Sequence, residues 1–261
     1  MSERAFGVTA GLDPEIASPL AGRCQELGYL SIWSNDHPGA KGLETLAAYS
    51  KGADRIGLGV AVIALDRQSP DEIATDIERL SIDRGRLWLG LGAGFTEKPV
   101  STMREALPGL REALPGIRLV LAAMGPKMCA LAGAEWDGVF MNWMTPEFAA
   151  EARGWVEGGA DQAGRDAPPV FGYVRTAVGA DAEDRLAKDE SFYRDLHQGY
   201  RRNFERQGAP EGTVGVAAEN AGVAQEQLSR YRALDVVVVR ALASATFEDL
   251  GSLAEAAAPG V

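Results

Sequence analysis

The sequence predicts an α/β fold and, within that class, a closed (β/α)8 barrel. Three observations predict it. Eight short, β-rich apolar runs alternate with longer amphipathic stretches, and eight is the strand count that closes a parallel barrel. The runs are continuously apolar rather than alternating, as at 236–239 and 119–122, which suits strands covered on both faces. The length of 261 residues lies within the range of one such barrel. No linker, low-complexity segment or charge block marks a boundary, so a single domain over 1–261 is expected. An open, doubly wound sheet with fewer strands is the competing topology.

The elements follow in order. A first strand is read at 6–10. Asp13 and Pro14 then start a helix, the Asp as N-cap and the Pro at the first helical position, and the helix stops at Gly28. The second strand is read at 30–33 and the second helix at 42–51. The third strand spans 56–65, and Ser69, Pro70 and Glu72 open the third helix with an N-cap, a first-turn proline and an acid in the first turn. The fourth strand is read at 86–90 and its helix at 101–114. The fifth strand is read at 117–123, with a helix at 126–133. The sixth strand spans 138–143, with a helix at 146–163. The seventh strand spans 170–178, followed by a long helical region at 181–207 and a second helical candidate at 221–233. The eighth strand, 235–239, precedes the last helix at 246–258.

Composition narrows the function classes. A hydrophobic content of 46% supports a sizeable core, and the formal charge of −11 disfavours nucleic acid or an anionic membrane as a partner. It leaves room for an anionic small ligand in a locally positive site. The two cysteines, Cys24 and Cys129, have no spacing for a disulfide framework or a zinc site, so no metal is expected and the expected compartment is reducing. No basic segment followed by a long apolar run opens the chain, and no stretch of 18 apolar residues occurs. A cytoplasmic location is the expectation.

In a barrel of this kind the chemistry sits in the loops after the strands. The second strand leads into Asn35, Asp36 and His37. One reading places the imidazole over a bound ring, with the carboxylate fixing its tautomer; the other makes Asp36 a turn cap and His37 a loop residue. Small residues at the end of the third strand, around Val60 and Ala61, allow close approach to a planar ligand or simply pack the barrel. Gly92, Ala93 and Gly94 close the fourth strand without completing a dinucleotide fingerprint; they read as backbone approach to a ligand or as a tight turn. After the fifth strand, Met124, Gly125, Pro126, Lys127 and Met128 turn straight into a helix whose free N–H groups form an anion site, or a plain strand-to-helix turn. Asn142 and Trp143 follow the sixth strand.

Taken together these blocks resemble the luciferase-like monooxygenases. Glu26-Leu27-Gly28-Tyr29 through Trp33 to Asp36-His37, Arg55 through Val60 to Arg67 and Pro70, Leu80-Ser81 through Leu87 to Gly94, Gly125-Pro126-Lys127-Met128 through Asp137-Gly138-Val139 to Asn142-Trp143, and Val174-Arg175 to Gly179 match that family's blocks in order, from about Phe6 to Gly179. The wording of the fourth block looks most like the branch that uses coenzyme F420, a deazaflavin; FMN users are its neighbours. The resemblance implies a ring at the barrel mouth, with His37 approaching its reactive edge and Asp36 supporting His37. It implies a bulge near Val60 and Ala61 behind the ring, often with a non-prolyl cis peptide, Gly92 and Gly94 beside it, and 125–128 at the phosphate. Hydride transfer to or from a small organic substrate is the implied reaction, and a homodimer the implied assembly.

Two departures from the family stand out. Only residues 95–116 join strands four and five, where the family carries a long insertion. Phe95 stands where F420-using alcohol and sugar-phosphate oxidisers have a carboxylate, with Glu97 two residues on. Three functions are therefore carried forward: an F420 oxidoreductase, an FMN enzyme with a reductase partner, and a shortened, non-catalytic barrel that binds a flavin-like ligand or acts as a dimer module.

Overall fold

A computed structural model describes residues 2–260. Its strands are β1 (Glu3–Val8), β2 (Ser31–Ser34), β3 (Gly57–Ala64), β4 (Leu87–Gly92), β5 (Arg118–Ala122), β6 (Gly138–Asn142), β7 (Val170–Val178), β8 (Val216–Ala218) and β9 (Val236–Ala241). The helices are α1 (Pro14–Glu26), α2 (Gly42–Gly52), α3 (Pro70–Arg79), α4 (Pro99–Ala113), α5 (Pro126–Glu135), α6 (Pro146–Ala163), α7 (Ala182–Leu196), α8 (Gln198–Gln207), α9 (Ala221–Leu228) and α10 (Phe247–Ala256). The strands pair β6-β5-β4-β3-β2-β1-β9-β7, and β6 pairs back to β7, so eight parallel strands close into a barrel ringed by helices. The expected (β/α)8 architecture is observed, and the open sheet is excluded.

The helix starts follow the sequence chemistry. Asp13 caps α1 through the Glu15 N–H, and Ser69 with Glu72 forms a reciprocal capping box on α3. Pro sits in the first turn of α1, α3, α4, α5 and α6, where its missing N–H costs nothing. Helices α5 and α6 pack with their backbones nearly touching. A side chain at Gly133 would overlap the Val156 carbonyl, and one at Gly159 the Ala130 carbonyl.

The inside of the cylinder is filled rather than open. Trp33, Phe140, Phe171 and Tyr173 are buried there with Val120, Val236 and Val238, and Trp88 packs against them. Phe171 stands 5.3 Å from Trp33 and 4.9 Å from Trp88, ring centre to ring centre. Gly59 makes the room for the Trp33 indole, since a side chain there would overlap the ring.

Four differences from the sequence reading have physical reasons. β1 begins at Glu3, not Phe6, because the ladder to β9 runs from Glu3 against Val236; Arg4 is accommodated at the barrel's closed end, hydrogen-bonding Gln225 and the Ala257 carbonyl. β4 runs on past Gly90 to Gly92, because the ladder to β3 continues through Ile63–Leu91 and Ala64–Gly92. The helical region after β7 breaks at His197, whose extended backbone ends α7 and whose ring accepts the Gly199 N–H to start α8. The third is compounded by a ninth strand: β8 was not expected at all. Thr176 pairs with Ala241 of β9 and with Val216 of β8, so β8 takes the edge of β7 that β6 occupies lower down. Among the described residues no helix is long and apolar enough to cross a membrane.

Candidate functional site

The C-terminal mouth of the barrel is built by counting two residues up each strand from its filled interior. Neighbours two apart share a face. Above Tyr173 comes Arg175, above Phe140 comes Asn142, above Val238 comes Arg240, and above Val120 comes Ala122. Gly92 completes this layer: a Cβ built on it would lie 3.5 Å from Val62 and 3.6 Å from Ala122. The mouth is therefore two-sided. Its β3–β5 side is small and apolar; its β6–β9 side carries an amide and two guanidinium groups.

The polar side is mostly tied together. Arg175 is buried, hydrogen-bonds the Asn142 side-chain oxygen, pairs with Asp189 at 3.3 Å, and lies 4.2 Å over the Trp143 ring. Arg175 and Arg240 are register partners on β7 and β9. Burial pushes the Tyr173 phenol beneath them up to about 12, against the opposing pull of Arg240 and Arg175. The Tyr173 hydroxyl, Trp143 Nε1 and Arg240 Nη1 are buried without a hydrogen-bond partner. Buried polar atoms are seldom left so, which marks the layer as a place where a ligand's polar atoms fit.

Helix α8 packs over the loops after β4, β5 and β6. The Asn203 and Gln207 side-chain amides donate to the Trp143 carbonyl at 2.7 and 2.8 Å, and Arg206 donates to the Met124 carbonyl at 3.1 Å. The His197 ring lies 4.5 Å from that of Phe95. In place of a long insertion after β4, the α7–α8 hairpin forms the cover. It is anchored by the buried Glu190, which accepts from Arg194 and from the Val214 N–H at 3.0 Å.

The sequence-derived candidates distribute as follows. His37 stands at the end of β2 in a tight turn closed by paired backbone bonds with Ala40. Its Nδ1 accepts the Gly39 N–H at 3.1 Å, leaving Nε2 as the protonated nitrogen of the neutral ring. Asp36 does not hold that ring. Its carboxylate pairs with Arg67 at 2.9 Å and accepts from the Gly42 N–H and Gln68, so it fixes the start of α2 against the loop after β3. The resemblance had Asp36 supporting His37; the competing reading, a turn-fixing acid, is what the hydrogen bonds describe.

The bulge lies one residue further along than expected. The register between β3 and β4 shifts between Val60 and Ile63, and the Ala61–Val62 peptide is cis. Ala61 belongs to the barrel interior. The Val60 side chain faces the other way, into the helix layer against Gly42; Ala93 and Met128 also pack with that outer layer. Gly94 takes a left-handed φ of 67°, and the Asp66 carboxylate lies against it, accepting the Phe95 N–H at 3.0 Å. Phe95 is largely exposed.

Gly125 precedes α5 with no side-chain cap, followed by Pro126 and an exposed Lys127. A Cβ on Gly125 would lie 3.6 Å from Arg206 Nη1. The open N-terminus of α5 thus has two cations near it. His37, Gly92, Gly94, Gly125, Lys127 and Asn142 all follow or end strands at the same end of the cylinder. Residues not singled out from sequence are Arg175, Arg206, Arg240 and Asp66. Two of them, Arg175 and Arg240, interrupt the apolar runs 170–178 and 236–241, but only the register of the closed barrel turns them inward.

Comparison with known proteins gives a consistent picture. A family model described as luciferase-like monooxygenase matches residues 7–118 and 98–249. Among solved structures, an F420-dependent secondary alcohol dehydrogenase in complex with an F420–acetone adduct superposes with a TM-score of 0.78 at 16% identity, covering 99% of this chain and 98% of that one. The coenzyme F420-dependent tetrahydromethanopterin reductase from Methanopyrus kandleri gives 0.75 at 16% identity, covering 100% and 98%. The oxygenating constituent of 3,6-diketocamphane monooxygenase from Pseudomonas putida, in complex with FMN, gives 0.67 at 15% identity, covering 100% and 99%. At such identities the shared property is the fold.

Proposed function

The chain belongs to the luciferase-like monooxygenase family, and from that premise we propose that it is an oxidoreductase that uses coenzyme F420 to exchange a hydride with a small organic substrate. The observation that carries this reading is the two-sided mouth: a small apolar wall at Val62, Gly92 and Ala122, where a Cβ on Gly92 would take up the space of a flat ligand, facing buried polar atoms without partners.

The residues present fit a planar ring with an anionic tail. The open N-terminus of α5, with Lys127 and Arg206 beside it, suits the phosphate of that tail. Val62, Gly92 and Ala122 would bear on the ring, and Asn142, held by Arg175, would orient its polar edge. When bound, the deazaflavin supplies a carbon centre that gives or accepts a hydride. The chain's own contribution is to orient and to exclude water. Helix α8 covers the loops after β4 to β6, and His37 presents Nε2 at the rim as the nitrogen able to pass a proton.

Titration with F420 and with FMN, followed by fluorescence quenching, tests the reading. F420 binding without FMN binding is expected. FMN binding alone moves the reading to an FMN enzyme served by a reductase, a possibility to which the FMN-bound structural neighbour lends weight. Binding of neither leaves a non-catalytic barrel. Lys127→Glu is expected to weaken cofactor affinity roughly three- to thirtyfold, the effect of reversing one charge at a helix N-terminus; unchanged affinity would move the phosphate elsewhere.

A further inference from the structure

Arg240 has no job in the folded chain. It is the penultimate residue of β9, facing into the mouth and only 8% exposed. Among the described residues no carboxylate pairs with it and no group accepts a hydrogen bond from it, and Nη1 is fully buried without a partner. The single compensation is the Tyr173 ring, 5.5 Å from the guanidinium carbon; a ring face attracts the charge but accepts no N–H in the fork geometry of a guanidinium. Its register neighbour shows what a settled arginine looks like here: Arg175 has Asp189, Asn142 and three aromatic faces within reach, the shared Tyr173 among them. On the other flank of β9, the register partner of Arg240 is Gly7, which has no side chain to offer.

A buried cation without a counter-charge is costly, and chains keep one where a ligand brings the charge. We propose that Arg240 is the recognition residue for a carboxylate on the substrate, so that the small organic substrate of the proposed reaction is an organic acid. The planar fork of a guanidinium matches a carboxylate bidentately. The proposed reading seats the cofactor's own phosphate elsewhere, at the start of α5, which follows β5 rather than β9. The substrate class rests on reading the mouth as a redox site; the anion site itself does not.

The test is isothermal titration of the purified protein with benzoate, glutarate and the neutral benzamide, with and without saturating F420 or FMN, for the wild type and for Arg240→Lys, Arg240→Gln and Arg240→Met. Saturable carboxylate binding is expected in the wild type. It should weaken at least about tenfold in Arg240→Gln and less in Arg240→Lys, with benzamide indifferent to all of them. Arg240→Met should melt no lower than the wild type in the absence of ligand, since it removes an unpaired buried charge; that result separates lost binding from lost folding. The proposal is overturned if the wild type binds no carboxylate at millimolar concentration, or binds it no better than Arg240→Gln does. It is also overturned if Arg240→Gln weakens the cofactor while leaving benzoate unaffected. Arginine-dependent benzoate binding in a protein that takes neither F420 nor FMN sustains the anion site and removes the redox reading.

Discussion

At the scale of single residues, His37 and Asp36 are neighbours with separate tasks. The Asp36 carboxylate is spent on Arg67, Gln68 and the Gly42 N–H, and the imidazole is oriented by its own turn. If His37 passes a proton at the rim, His37→Ala slows cofactor turnover by about 10²-fold, the lower range for general acid–base catalysis, while binding changes little. Stopped-flow reduction kinetics beside equilibrium titration would measure the split; equal losses in rate and affinity would make His37 a binding residue only. Asp36→Asn should act differently, by loosening the loop after β2 and lowering thermal stability.

At the scale of elements, the barrel's covering pieces are held by a few buried ions. Glu190 joins α7 to the segment before β8, and Glu190→Ala leaves Arg194 without its partner. Breaking a buried pair from one side costs about 3–5 kcal/mol, and here the cost falls on the cover. Limited proteolysis should cut the chain between α7 and β8 many times faster, while the melting of the barrel moves less. A second contact joins α3 to α2. Burial pushes the Asp76 carboxyl up, but hydrogen bonds from Lys41 and Arg79 outweigh it and hold it below the ordinary carboxylate range. A carboxyl held below its unfolded value adds stability above a pH of about 4 and loses it as pH falls through the lowered folded value. Asp76→Asn should therefore cost about 1 kcal/mol at neutral pH, discounted for the half-exposed Lys41, and progressively less as pH falls below about 4; denaturant midpoints measured across that range would show it.

How much of these elements the sequence discloses follows from the kind of signal each gives. Ser69, Pro70 and Glu72 announce α3 because capping is local chemistry, and the continuously apolar β5 and β9 announce themselves by being covered on both faces. β8 gives no such signal: three residues, Val216 to Ala218, become a strand only because β7 outruns β6 and leaves an edge. The break at His197 is likewise invisible, since helix-forming residues stand on both sides and the interruption is a histidine capping the next helix. In the site, His37 and the start of α5 were legible as strand-end loops. Arg175 and Arg240 were not, because which way a strand residue points depends on the register of the closed barrel.

At the scale of the whole molecule, the filled interior sets the character of the fold. Trp33 is fully buried at its centre, against Phe140 and Phe171. Trp33→Ala should lower stability by about 3–5 kcal/mol, as large-to-small changes in cores do, measured by denaturant unfolding; a loss under about 1 kcal/mol would mean that the interior collapses around the gap.

That aromatic plug also governs traffic. A cylinder stoppered at mid-height has no through-passage, so any small molecule seated at its mouth comes and goes by one end, as from a blind vessel with a single doorway.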